Sequence, residues 1–201
     1  MSSSDHAGAA RKDAGLDAAK AAARKRAFAA RREAYGQGLD ARANAHLLAF
    51  LAPIRPRAVA GYMPIRTEIS PLEAMDALHA GGVAVGVPVI EGAGRPLVFH
   101  LWSPEAEMVE GPFGARVPRQ GEAMIPDVII APLVAFDARG FRLGYGGGFY
   151  DRTIAALRAV GHDPLVVGLA YAAQELPEVP AGPTDMPLDA VVTERGVRRF
   201  G

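Results

Sequence analysis

The 201-residue chain contains no cysteine. That excludes disulfides, thiolate catalysis and cysteine-ligated metal, and it suits a reducing compartment. It also lacks a surplus of charge, since 22 Lys and Arg face 22 Asp and Glu. A protein built to coat nucleic acid is therefore not expected. No apolar run approaches the ~18–20 residues that span a bilayer. Residues 1–10 are small and polar, without the apolar stretch of a secretory signal. Asp5, Asp13 and Asp17 speak against a transit peptide in the Ala- and Arg-rich start. The expectations are a cytoplasmic protein with no membrane and no nucleic-acid partner.

Half of the residues are hydrophobic, enough for a large core. The length suits one domain, here residues 13–201, behind a flexible lead over residues 1–12. Residues 1–36 carry eight Lys and Arg against four Asp and Glu. From about Asp13 to Tyr35 the dominant Ala, Arg and Lys predict a basic helix. A second helix follows from Gln37 or Leu39 to Leu51. Short apolar runs bounded by Pro or Gly come next: Arg57–Tyr62, Val83–Pro88, Leu97–Leu101, Val128–Pro132, Leu165–Leu169 and Ala190–Thr193. They read as strands, most of them buried on both faces. Pro71–His79 and Gly148–Val160 read as helices, and Glu91–Arg95 as a hairpin-like turn. This alternation predicts an α/β fold, a three-layer Rossmann-like sandwich with a mostly parallel central sheet.

One segment stands out. After the strand at Val128–Pro132 comes Arg139-Gly-Phe-Arg-Leu-Gly-Tyr-Gly-Gly-Gly-Phe-Tyr-Asp-Arg152, which leads into a helix. Gly144, Gly146, Gly147 and Gly148 let the backbone turn sharply and let a ligand approach its amides. Successive N–H groups in such a turn form an anion nest, to which the helix adds the positive end of its dipole. Arg142 and Arg152 flank it with cations. The run is neither a Walker loop nor the dinucleotide Gly-x-Gly-x-x-Gly. Two roles stay open for Asp151: a Mg²⁺ ligand beside phosphates, or a first-turn carboxylate that favours the helix dipole.

Lys20, Arg24 and Arg31 are offset by four and eleven residues, which places them within a ~40° arc of one helix. Ala27, Phe28, Ala34 and Tyr35 lie on or beside that stripe. A solvated basic face is the alternative.

The glycine run closely resembles the signature of the 5-formyltetrahydrofolate cyclo-ligase family, and other family-like segments follow in order from Lys20 onward. The resemblance implies closure of 5-formyltetrahydrofolate to 5,10-methenyltetrahydrofolate by a monomeric enzyme, with ATP as co-substrate and Mg²⁺ as cofactor. By the same resemblance, Lys20, Arg24, Arg142, Gly144, Gly146, Gly147, Gly148 and Asp151 bind ATP. Tyr62-Met-Pro-Ile-Arg-Thr-Glu68 resembles the family's folate segment, so Met63 and Glu68 inherit substrate binding together with Trp102, Phe149 and Tyr150. Tyr150 and Arg142 would be catalytic, and Asp151 and Asp185 would hold the metal. Outside the resemblance, Glu68 could be an exposed helix-start residue, and Phe99 and Trp102 a buried aromatic pair. Asp189 reads as structural. Two positions depart from the family: many members have Lys where this chain has Gly147, and Glu-Pro where it has Val117-Pro118. Catalytically impaired homologues and sugar-phosphate isomerase-like enzymes are the competing readings.

Overall fold

A computed structural model of the chain describes the backbone of residues 3–200 and the side chains of residues 14–200. Residues 1 and 2 of the expected lead lie outside the described residues. Helix α1 spans Ser3–Ala34, so the helix expected from about Asp13 begins at Ser3. Ala9, Ala10, Arg11 and Lys12 are strong helix formers, and the single Gly15 costs only ~1 kcal/mol against Ala. The helix ends before Gly36, whose φ of 80° turns the chain away.

In chain order there follow α2 (Asp40–Leu51), β1 (Ala58–Ala60), α3 (Leu72–Ala80), β2 (Ala84–Val89) and β3 (Val98–Leu101). Next come β4 (Met108–Glu110), β5 (Arg116–Pro118), β6 (Ala123–Met124), β7 (Val128–Pro132), β8 (Ala135–Phe136) and β9 (Arg142–Leu143). The chain closes with α4 (Phe149–Ala159), β10 (Leu165–Leu169), β11 (Ala190–Thr193) and β12 (Gly196–Arg199). Eight strands form the main sheet in the order β12-β11-β10-β7-β1-β2-β3-β6. Strands β11, β10, β7, β1 and β2 run parallel at its centre, while β12, β3 and β6 add antiparallel edges. The short strands β4, β5, β8 and β9 form two separate ribbons.

The layers follow from strand alternation. Val128 and Ile130 of β7 join Leu47 of α2 and Ala74 and Met75 of α3 in one core. Ile129 and Ala131, their neighbours in sequence, join Ile154 of α4 in the other. Each of the larger side chains (Val, Ile, Leu and Met) contributes ~1.5–3 kcal/mol on burial, so a register slip of one residue would lose both cores. Helix α1 adds Ala34, at its end, to the first of these cores. Its Ala23 and Ala27 pack on Val134, Ala135 and Leu143, around the β8–β9 ribbon. Phe99 and Trp102 do not form an aromatic pair: Phe99 belongs to the core under α4 and Trp102 to the core under α2 and α3.

Candidate active site

The parallel strands send their carboxyl ends to one edge of the sheet, where open α/β sheets bind ligands. From β1 the chain runs through Tyr62 and Met63 to Glu68. From β7 it makes the β8–β9 ribbon, the glycine loop and then α4. The ribbon is braced by Asp137, which is fully buried. Its carboxylate accepts the N–H groups of Arg139, Phe141 and Val179 and the guanidinium of Arg139 at 2.7–3.2 Å. Burial alone would push this carboxyl up. The bonds from Val179, Arg139 and Phe141 outweigh it and hold the group below the usual range.

The ribbon delivers Arg142 to the loop. Its Nη2 donates to Asp151 Oδ1 at 2.8 Å, and its Nη1 to the carbonyl of Met186. Asp151 Oδ1 also accepts the Met186 N–H at 2.9 Å. Between them Gly146 takes a φ of 105°, and Gly148, the residue that caps α4, takes 63°. Both conformations are left-handed ones that a side chain would strain.

Helix α1 brings its cations to the same place, each to a different partner. Lys20 Nζ meets Asp185 Oδ2 at 2.6 Å. Arg24 Nε donates to the Gly144 carbonyl at 2.8 Å. Arg31 is buried, with Nε on Thr67 Oγ1 at 3.1 Å and Nη2 on Tyr145 Oη at 2.8 Å. The stripe faces inward, and the solvated basic face is ruled out for these three residues.

Asp151 and Asp185 are the two carboxylates proposed for metal. Their protein bonds fall on Oδ1 of Asp151 and on Oδ2 of Asp185, which leaves one oxygen of each for another ligand. Among the described residues no three His, Asp or Glu side chains form a metal cluster. Two carboxylates suit Mg²⁺, which takes the rest of its shell from phosphates and water; they would not suit a metal held by protein alone.

Glu68 is buried, not an exposed helix-start residue. Its Oε2 accepts the Ile65 N–H at 2.8 Å, and Oε1 lies 4.0 Å from Arg31 Nη1. Burial pushes its carboxyl above the usual range, and the Ile65 N–H, Arg31 and Tyr145 offset part of that. The hydroxyl of Tyr150 is buried without a partner. Burial first, and the charge of Glu68 second, push it upward, so it stays protonated as an unused donor. Met63 packs against the core that holds Trp102, and Phe149 and Tyr150 against the opposite one.

Phe113, Tyr145 and Met186, which sequence reasoning did not single out, complete this edge together with the flanking cation Arg152. Arg152 folds back on the loop, with Nη2 on the Gly147 carbonyl at 2.6 Å and its guanidinium 5.2 Å from the centre of the Phe149 ring. A guanidinium thus lies beside the position that carries no side chain. Phe113, mostly exposed, meets Phe149 edge-on at 6.3 Å. The Met186 backbone and Tyr145 also take part. The only signal for Tyr145 was an aromatic residue set between glycines.

A model of the 5-formyltetrahydrofolate cyclo-ligase family matches residues 16–194. The chain is 32% identical over 164 residues to the 5-formyltetrahydrofolate cyclo-ligase of Escherichia coli (strain K12), covering 78% of this chain and 88% of that protein. It is 34% identical over 157 residues to the protein of the same name from Mycolicibacterium smegmatis, covering 72% and 77%. Among solved structures, the 5,10-methenyltetrahydrofolate synthetase of Aquifex aeolicus superposes with a TM-score of 0.73 at 29% identity, covering 90% of this chain and 92% of that one. A 5,10-methenyltetrahydrofolate synthetase from Mycoplasma pneumoniae gives 0.66 at 25% identity, covering 87% and 98%.

Proposed function

The chain belongs to the 5-formyltetrahydrofolate cyclo-ligase family, and from that premise we propose that it closes 5-formyltetrahydrofolate to 5,10-methenyltetrahydrofolate at the expense of ATP. The observation that carries the reading is the convergence of Arg24, Arg142 and Asp151 on one glycine loop, with Lys20 on Asp185 of the neighbouring segment and a buried Glu68 beside it.

A formyl oxygen on N5 is a poor leaving group. Transfer of the γ-phosphoryl group of ATP to that oxygen releases ADP and gives an iminium phosphate. N10 of the same molecule attacks the formyl carbon and gives up its proton to water, and phosphate leaves with the oxygen. No covalent nucleophile from the protein is needed, so catalysis is positioning and charge neutralisation. Lys20, Arg24 and Arg142, with the amides of Gly144, Gly146, Gly147 and Gly148, serve the phosphates. Mg²⁺ held by Asp151 and Asp185 would neutralise phosphate oxygens. Glu68 accepts N–H groups of the pterin edge, since charge strengthens such bonds. Met63, Trp102 and Phe149 line the ring, and Tyr150 donates its hydroxyl to the substrate.

The reading takes residues 13–201 as a single catalytic domain acting as a cytoplasmic monomer, with residues 1–12 as a dispensable lead. One assay tests it: ADP and the absorbance of the methenyl product are followed together. Equal amounts of both are expected. Folate binding without ADP release would mark an impaired homologue instead.

A further inference from the structure

Arg31 is 1% exposed, yet its Nη1 has no hydrogen-bond partner. A buried donor left unpaired is costly. Glu68 Oε1 lies 4.0 Å away, beyond hydrogen-bond reach. The guanidinium is kept off the carboxylate by its other contacts. It donates to Thr67 and Tyr145 and packs beside two neighbouring rings, 5.1 Å from the centre of Phe28 and 5.5 Å from that of Tyr145, whose centres are 5.5 Å apart.

Within this group Arg31 and Glu68 are buried, while Tyr145 is 40% exposed. Tyr145 therefore covers the buried pair, and the cover is part of the glycine loop. Gly144 precedes it and Gly146 follows it, so the ring rides on a backbone with unusual freedom. The loop is tied down here by Arg24 Nε on the Gly144 carbonyl. The Nε of Arg24 ties it to the loop, while its Nη groups remain as donors for a phosphate. A nucleotide that draws in Arg24 and the loop amides therefore acts on the residue next to Tyr145.

We propose that Tyr145 is a gate through which nucleotide on the glycine loop sets the affinity for substrate at Glu68, with Arg31 as the positioning residue beneath it. The proposal rests on the assignment of phosphates to the loop and of folate to Glu68. With the gate shut, the phenol occupies Arg31 and shields Glu68. With nucleotide bound, the ring withdraws and Glu68 is open to the pterin edge. Two ligands that favour the same open state raise each other's affinity by the same factor.

The test measures the dissociation constant of 5-formyltetrahydrofolate by calorimetry, with and without Mg²⁺ and a non-hydrolysable ATP analogue, in the wild type, Tyr145→Ala and Tyr145→Phe. Nucleotide should tighten folate binding in the wild type by about fivefold or more. Tyr145→Ala should bind at the tightened value without nucleotide and gain less than about twofold from it. Tyr145→Phe, which keeps the ring and loses the hydroxyl, should fall between, and melting curves check that both variants fold. Folate binding that ignores nucleotide in the wild type overturns the gate. So does a full nucleotide effect retained in Tyr145→Ala. No folate binding in any form, with or without nucleotide, sinks the assigned function itself and the gate with it.

Discussion

Arg142 and Asp151 meet at 2.8 Å from opposite ends of the glycine run, the arginine on β9 and the carboxylate in the first turn of α4. Both also hold Met186, one through its carbonyl and the other through its N–H. The pair thus fixes the distance across the loop and ties it to the segment that carries Asp185.

Asp151→Asn should fold and lose turnover by about 100-fold or more, the scale of removing one charge-stabilising group from a phosphoryl-transfer site. The requirement for Mg²⁺ should rise as well. Methenyl absorbance against Mg²⁺ concentration reads both effects. Unchanged activity would remove Asp151 from the metal site.

Lys20→Ala should raise the apparent KM for ATP about tenfold, equivalent to ~1.4 kcal/mol. Folate affinity measured without nucleotide should change little. An equal loss of both ligands would mean that α1 has only a structural role there.

Glu68→Gln should weaken folate binding by about tenfold or more, since hydrogen bonds to a charged partner contribute ~1.5–3 kcal/mol. In the wild type, binding should fall off on the acid side at a pH above the usual carboxylate range, because burial raises this carboxyl above 4.5. Affinity titrated against pH checks this, and the variant should lose that acid limb. The stability contribution has the opposite sense. It is fully present below 4.5 and is lost as pH rises through the folded-state pKa, so the variant gains stability on the wild type towards neutral pH.

Asp137→Asn should cost about 2–4 kcal/mol at neutral pH, because one buried acceptor serves both the ribbon and Val179. The urea midpoint measures it. This carboxyl is held below 3.8, so its contribution is present above 3.8 and is lost as pH falls through the lower folded value.

A chain that begins at residue 13 should retain its kcat within about twofold and its melting temperature within a few degrees, since chain termini commonly tolerate truncation. A large loss would make the start of α1 part of the catalytic domain.

The central strands were legible because burial on both faces writes unbroken apolar runs: Val128–Pro132 and Leu165–Leu169 match the expected bounds residue for residue. The two-residue strands β6, β8 and β9 are too short for any period and were not foreseen. The start of α1 shifted from Asp13 to Ser3 because propensity has no sharp edge in an alanine-rich run.

By itself the sequence determined that a glycine loop follows a buried strand and opens a helix, and that Lys20, Arg24 and Arg31 share one helical stripe. Both are local properties, set by spacing and backbone freedom. Only the tertiary structure decided what each cation meets: Asp185 for Lys20, 165 residues away, the Gly144 carbonyl for Arg24, and the Tyr145–Glu68 group for Arg31. It also separated Phe99 from Trp102, three residues apart but on opposite faces of the sheet. Partners so far apart in the chain are brought together by strand order and layer packing, which no short-range pattern encodes.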